Sequence, residues 1–337
     1  MGLRAGFLGT TMLGALLLAG TALPAWAQTT FRVAVGDAAG SAQAELGQAF
    51  AKELEERTNG EYKAELFLNG QLGDEQATVN DISMGLLDMS IVAINNITPF
   101  SPTVGLLTLP YVIRSVDDAE KLTQGEIGQE LIDNTVRDAG ARIIGWTYTG
   151  CRVLTNSKKP VKTLDDLKGL VIRVPKNEIM ISSYNAWGIN PTPMAWSETF
   201  TALQQGVVDG QDNPYLTVNA MKFYEVQKYI TDICYVFSIE PLIVSESIFQ
   251  GLDPKVQEEV LAAGKAATQH SAQFLRDSEA SIKESLVKEH GMEIDEPADD
   301  EKAWIDAATQ KVWPEHYDSI GGKEKLDAAL KVLGRSS

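Results

Sequence analysis

Arg173 stands in "LKGLVIRVP" between Ile172 and Val174, and Arg152 stands in "GCRVL", so two guanidinium groups leave segments that read as buried strands. A buried arginine needs an anion, because a charge taken out of water without a partner is strongly destabilising. That anion can be an Asp or Glu of the chain itself or a ligand. Two such arginines favour a carboxylate clamp, since the planar fork of arginine matches a carboxylate at two points where lysine offers a point charge. A second stretch is "ALQQGVVDGQDNP", residues 202–214, in which an apolar segment runs directly into Gly, Asp, Gln, Asn and Pro. Gly206 and Gly210 permit a turn, Asp209 and Asp212 can accept backbone N–H bonds, and Pro214 closes it. A plain helix-ending turn accounts for the glycines and the proline but not for the run of amides, which makes Asn213 a candidate to face a cleft.

Other chemistry is missing. The three histidines, His270, His290 and His316, fall in the C-terminal third without a ligand partner four residues on, and are expected at the surface. H-E-x-x-H, G-x-S-x-G, G-x-G-x-x-G, P-loop and C-x-x-C signatures are all absent from the sequence, so nothing supports hydrolase, dinucleotide, nucleotide or thiol-redox chemistry. Cys151 and Cys234 alone cannot hold a structural zinc. No catalytic residue, metal or cofactor is expected.

The elements that would position these groups follow from periodicity. "FRVAVG" (31–36), "YKAELFL" (62–68) and "LDMSIVAI" (87–94) read as strands. Between them lie a helix capped by Ser41, with Leu46, Phe50 and Leu54 on one face and Gly60 at C′, and a helix-like stretch from Glu75 to Leu86. This β-α-β-α-β order predicts a largely parallel sheet with helices on both faces. A second unit runs through "ARIIGWTY" (141–148), "CRVLTNS" (151–157), the strand "LVIRV", a helix around 177–187 and the strand-like "GINPTPM". From Asp253 as N-cap and Pro254 at N1, one helical pattern continues without proline to Gly291; at about 1.5 Å per residue it is about 50 Å long, enough to brace two lobes.

Length and charge bound the rest. At 337 residues and 44% apolar content the chain is long enough for two cores. Arg4, the apolar run Met12–Leu23 and Ala25-Trp26-Ala27 read as a secretory signal with cleavage near Gln28; the run is too short and too interrupted by Pro24 for a membrane anchor. The formal charge of −17 becomes one unit more negative when Arg4 leaves. That argues against nucleic acid and anionic membranes as partners, but not against a small anion held by local arginines. No later stretch is apolar enough to cross a bilayer, so an exported, soluble product is expected.

"LVIRVPKNE", "NPTPMAWSETFTALQQGVVDGQDNP" and "MKFYEVQKYIT", with "GQLGDE" and "LTLPYVIRS", resemble in order and spacing the solute-binding proteins of tripartite ATP-independent periplasmic (TRAP) transporters, the DctP-type family, from about residue 31 to about 320. The resemblance implies an α/β, two-lobed periplasmic binding protein fold with a long helix bracing both lobes. The lobes would be discontinuous: 28–150 with 238–277, and 151–237 with 278–330. It implies that Arg173, in the I-R-V-P strand, meets a ligand carboxylate, that Arg152 contacts the ligand beside it, and that Asn213 faces the same pocket. Glu75, after Q-L-G-D, would lie at its edge, Asn95 would serve hydroxyl or amide groups, and Trp196 and Tyr235 would form walls. Tyr235 departs from the His that many members carry there. It also implies that Cys151 and Cys234 lie on strands side by side at the hinge, where a disulfide and two free thiols are both open. The function implied is periplasmic capture of a small carboxylate, a sugar acid first and a C4-dicarboxylate next, by a monomer that delivers it to membrane permease subunits. An exported enzyme and a ligand-presenting sensor are the alternatives.

Overall fold

The computed structural model describes residues 1–3, 6 and 28–336; apart from those first four, the predicted signal segment 1–27 lies outside the described residues. The strands are β1 (Thr29–Val35), β2 (Tyr62–Phe67), β3 (Met89–Ile91), β4 (Ala141–Asn156), β5 (Arg173–Val174), β6 (Thr192–Pro193), β7 (Gly210–Pro214), β8 (Tyr229–Thr231), β9 (Phe237–Ser245) and β10 (Glu293–Asp295). Five helices matter for the site: α1 (Ala42–Arg57), α2 (Glu75–Ser83), α3 (Glu178–Ala186), α4 (Trp196–Gln204) and α5 (Pro254–Lys288). Ser41 caps α1 by accepting the N–H of Ala44, and Asp253 caps α5 by accepting that of Lys255, with Pro254 following it. At the end of α1 it is Asn59, not Gly60, that first turns left-handed, with Gly60 next.

The main sheet runs β10-β8-β4-β9-β3-β1-β2, with β7 also paired to β4. It is mixed where the sequence reading predicts a largely parallel sheet. β1 pairs in parallel with β2 and β3, but β9 enters antiparallel between β3 and β4. The local β-α-β pattern could not show this, because β9 is distant in sequence from both neighbours.

The 16-residue β4 changes partners along its length. Ala141–Cys151 pairs with β9, and Arg152–Asn156 pairs with β7. The long helix spans the same division: Val260, Ala263 and Ala267 of α5 join a core with Phe31, Leu46 and Val244, whereas Leu286 joins another with Val153, Val218 and Phe223. A fully buried Val or Leu contributes about 1.5–3 kcal/mol, so Val260 and Leu286 anchor α5 in both cores. Gly264 allows the close approach, since a Cβ there would stand 1.9 Å from the Ile144 carbonyl oxygen on β4.

Cys151 and Cys234 are bonded, with Cα atoms 4.8 Å apart, inside the roughly 4.4–6.8 Å range of disulfides. The bridge joins the point where β4 leaves β9 to the chain that returns into β9. It closes a sequence separation of 83 residues, which restricts the unfolded chain by about 4.5 kcal/mol in the chain-entropy view.

Candidate functional site

The run "GVVDGQDNP" is not a turn throughout. Gly206, with φ +69°, ends α4, and Gly210–Pro214 is then strand β7, whose backbone groups bond to β4. Gly210 is required by that pairing, since a Cβ would stand 2.2 Å from the Thr155 carbonyl oxygen. Asp209 accepts a backbone N–H as expected, from Val171, but Asp212 does not: its Oδ2 accepts Arg152 Nε at 2.5 Å and the Tyr235 hydroxyl at 2.7 Å. The pattern of amides is therefore a strand beside β4, which sets Asn213 opposite Val153 and leaves its side chain at a cavity.

That cavity is lined by Arg173, Arg152, Asn213, Glu75, Asn95 and Trp196 of the sequence-derived candidates. Tyr235 does not line it. This tyrosine is fully buried one layer behind, edge-on to Tyr184 and Trp187, where its hydroxyl supports Asp212.

The two arginines differ. Arg152 is 3% exposed and paired with the fully buried Asp212, its Nη2 also donating to the Asp212 carbonyl. Burial alone would lower its pKa; the charge and hydrogen bond of Asp212, with Tyr235 and Glu240 beside it, together outweigh this and the net shift is upward. Arg173, 2% exposed, has no ion pair among the described residues. Its Nε and Nη2 donate to the Met194 carbonyl at 3.2 and 2.7 Å, and its guanidinium lies 5.6 Å from the Trp196 ring centroid. Burial, and then the charge of Arg152, push its pKa down to about 10. The same strand context thus holds one arginine paired inside the chain and one left without an anionic partner among the described residues.

Carboxylates supply much of the remaining wall. Glu75 opens α2 after Asp74; its Oε1 accepts Gln43 Nε2 at 2.9 Å, and its Oε2 accepts the Ala93 N–H at 3.2 Å and the Asn96 amide. Asp37, just past β1, accepts the Trp196 indole N–H at 3.0 Å. Glu240, on β9, accepts the hydroxyls of Ser238 and Thr149. Asp37, Gln43 and Glu240 are missed by the sequence reading. For Glu240 a signal exists: an acidic residue inside the apolar "FSIEPLIV" poses the same question as Arg173 inside "LVIRV". Gln43 and Asp37 carry no comparable signal, because a polar residue at a helix start or after a strand is ordinary.

Burial, then Glu240, raise the Glu75 pKa to about 7; burial raises those of Asp37 and Glu240 as well. A carboxyl whose folded pKa exceeds its unfolded value binds its proton more tightly in the folded state, so stability falls as pH rises between the two values and is level above them. For Glu75 the window is 4.5 to about 7, and its full width corresponds to about 3 kcal/mol. Urea unfolding of the ligand-free protein should therefore show stability falling across this window, and Glu75→Gln should flatten that fall; an equal slope in both proteins would contradict the assignment.

Of the histidines expected at the surface, His316 is buried, with Nε2 3.1 Å from Ser182 Oγ, and burial lowers its pKa. It lies in the helix Lys302–His316, which packs on α3, a contact between segments distant in sequence.

Hydrogen bonds cross from the β1–β3 side to the β5–β7 side, among them Trp196 to Asp37, Asn177 Nδ2 to the Asn95 carbonyl at 3.0 Å, Gln76 Nε2 to the Lys176 carbonyl at 3.1 Å, and the Ser197 backbone N–H and hydroxyl to Asp74, both at 3.5 Å. A two-lobed mixed α/β fold that encloses an unpaired arginine in this way defines a binding protein for a small anion. Residues 35–320 match the family described as bacterial extracellular solute-binding protein, family 7 (DctP), and the chain belongs to that family. It is a solute-binding protein of the TRAP type and not an enzyme. It is similar to the 2,3-diketo-L-gulonate-binding periplasmic protein of Escherichia coli, 32% identical over 259 residues that cover 77% of this chain and 78% of the relative. Among solved structures, it resembles a TRAP periplasmic solute-binding protein from Polaromonas bound to D-erythronate, with 30% identity, TM-score 0.85, and 90% and 98% of the two chains covered. It also resembles an apo, open TRAP solute-binding protein from Rhodobacter sphaeroides, with 37% identity, TM-score 0.74, and 91% and 99% covered.

Proposed function

We propose that the mature protein binds a sugar acid, an aldonate or uronate with one carboxylate, between two lobes and delivers it to TRAP membrane permease subunits. Arg173 carries the reading, because it is a buried cation without an anionic partner inside a cavity otherwise rich in amides and carboxylates. Arg173 takes the ligand carboxylate at two points, and Arg152, held by Asp212, adds positive field beside it. Asn213, Asn95 and Glu75 serve hydroxyl groups, and Trp196 forms a wall. Tyr235 acts through Asp212 and does not touch the ligand. Relatives named for 2,3-diketo-L-gulonate and found with D-erythronate support a polyhydroxy acid over a C4-dicarboxylate.

The lobes divide at residues 28–150 with 238–277, and 151–237 with 278–330; the change of β4 partners at Cys151 and Arg152 supports the first boundary. Residues 1–27 act as a cleaved export signal, and the mature protein works in the periplasm as a monomer with no nucleic-acid partner. The cross-cavity hydrogen bonds belong to a closed state. Closer superposition on the D-erythronate complex than on the more identical open structure supports this. Ligand that touches both lobes shifts the population from open to closed.

Small-angle scattering should show a smaller radius of gyration with saturating D-erythronate or D-galactonate than without. Binding at a hundredfold excess over Kd should also stabilise the fold by about 2.7 kcal/mol. A panel of aldonates and uronates that changes neither radius nor melting temperature would refute the ligand class.

A further inference from the structure

Three polar atoms of residues that line the cavity are buried and make no hydrogen bond of good geometry, Asp37 Oδ2, Glu240 Oε2 and Asn95 Nδ2, though the Gln43 amide stands near enough to the Glu240 carboxyl to lower its pKa. Their residues are 2%, 4% and 5% exposed. In each carboxylate the other oxygen is already used, Asp37 Oδ1 by the Trp196 indole and Glu240 Oε1 by Thr149 and Ser238, so both side chains are oriented with one oxygen left over. They come from separate elements, the end of β1 and the middle of β9, and both feel the field of Arg152, while Asp37 also feels Glu240 and Glu75.

A buried acceptor left without a donor costs about 1–3 kcal/mol, and a hydroxyl relieves that cost because it is neutral and can donate to a carboxylate while accepting from an amide such as Asn95 Nδ2. A second ligand carboxylate cannot do so, being an acceptor only, and it would meet Asp37, Glu75 and Glu240 together. We infer that Asp37 and Glu240 are the specificity-determining residues of this pocket: their free oxygens receive ligand hydroxyls, and a second carboxylate set among these crowded acids is excluded. This rests on the sugar-acid reading above and adds to it which end of the acid is sensed and what is rejected.

The test uses pairs of acids that differ only in their terminal group. D-erythronate is compared with meso-tartrate and D-galactonate with galactarate, by calorimetry at pH 8, on the mature wild type and on Asp37→Asn and Glu240→Gln. Wild type should bind at least one monoacid 100-fold or more tighter than its diacid. Each variant should lose tenfold or more for that monoacid and narrow the ratio to its diacid at least tenfold. Both substitutions are isosteric and remove a buried charge, so apo melting temperatures at or above wild type are expected, which separates loss of recognition from loss of fold. Wild type that binds neither monoacid overturns the sugar-acid reading and this inference with it. Wild type that binds a monoacid, with affinity and ratio unchanged in both variants, overturns this inference alone.

Discussion

Arg173→Ala is expected to weaken sugar-acid binding by about 30-fold to several-thousand-fold, equivalent to roughly 2–5 kcal/mol, because it leaves the ligand carboxylate desolvated and unpaired. Arg173→Lys should fall between, since a point charge replaces a two-point fork. The same substitutions should leave the ligand-free fold intact. Arg173 has no ion pair to lose, only the bonds to the Met194 carbonyl, and its pKa, pushed down to about 10, marks a charge that is costly to bury before ligand arrives. Calorimetry paired with urea unfolding separates the two effects. An alanine variant that binds as tightly as wild type would sink the assignment, and one that simply unfolds would make Arg173 structural.

The opposite balance is expected for Asp212. Its side chain is fully buried against Arg152 and Tyr235, and truncating one member of such a pair strands the other charge. Asp212→Ala should therefore cost about 3–5 kcal/mol of stability, which for a domain-sized unit lowers the melting temperature by roughly 10 °C. A double replacement of Arg152 and Asp212 by apolar residues of similar volume should recover much of this stability while binding stays impaired, because the stranded charge is then gone but the positive field beside Arg173 is not restored. Unchanged melting of Asp212→Ala would mean that the pair is not the anchor of this wall.

These two outcomes mark where reading the sequence succeeds and where it stops. An arginine among Val and Ile poses a demand for an anion wherever it occurs, so both Arg152 and Arg173 are legible as candidates. Which of them meets that demand inside the chain is not, because Asp212 reaches Arg152 only through the β4–β7 register. Tyr235 shows the same limit: a residue next to a strand of the right unit can face a cavity or the layer behind it, and alternation alone does not say which.

The amphipathic period of α1, the caps at Ser41 and Asp253, the proline-free length of α5 and the apolar strand runs are local properties. Propensity and side-chain period act over a few residues, and these elements are therefore determined by the sequence by itself. The order of residue types around Arg173 and Asn213 likewise carries the family on its face. The tertiary structure alone decided the insertion of β9 between β3 and β4, the convergence of Asp37, Glu75 and Glu240 from three separate elements, the meeting of Cys151 with Cys234, and the burial of His316. Each of these depends on contacts between segments far apart in the chain, whose energies are set by packing and by the electrostatics of burial, and no window of neighbouring residues contains them.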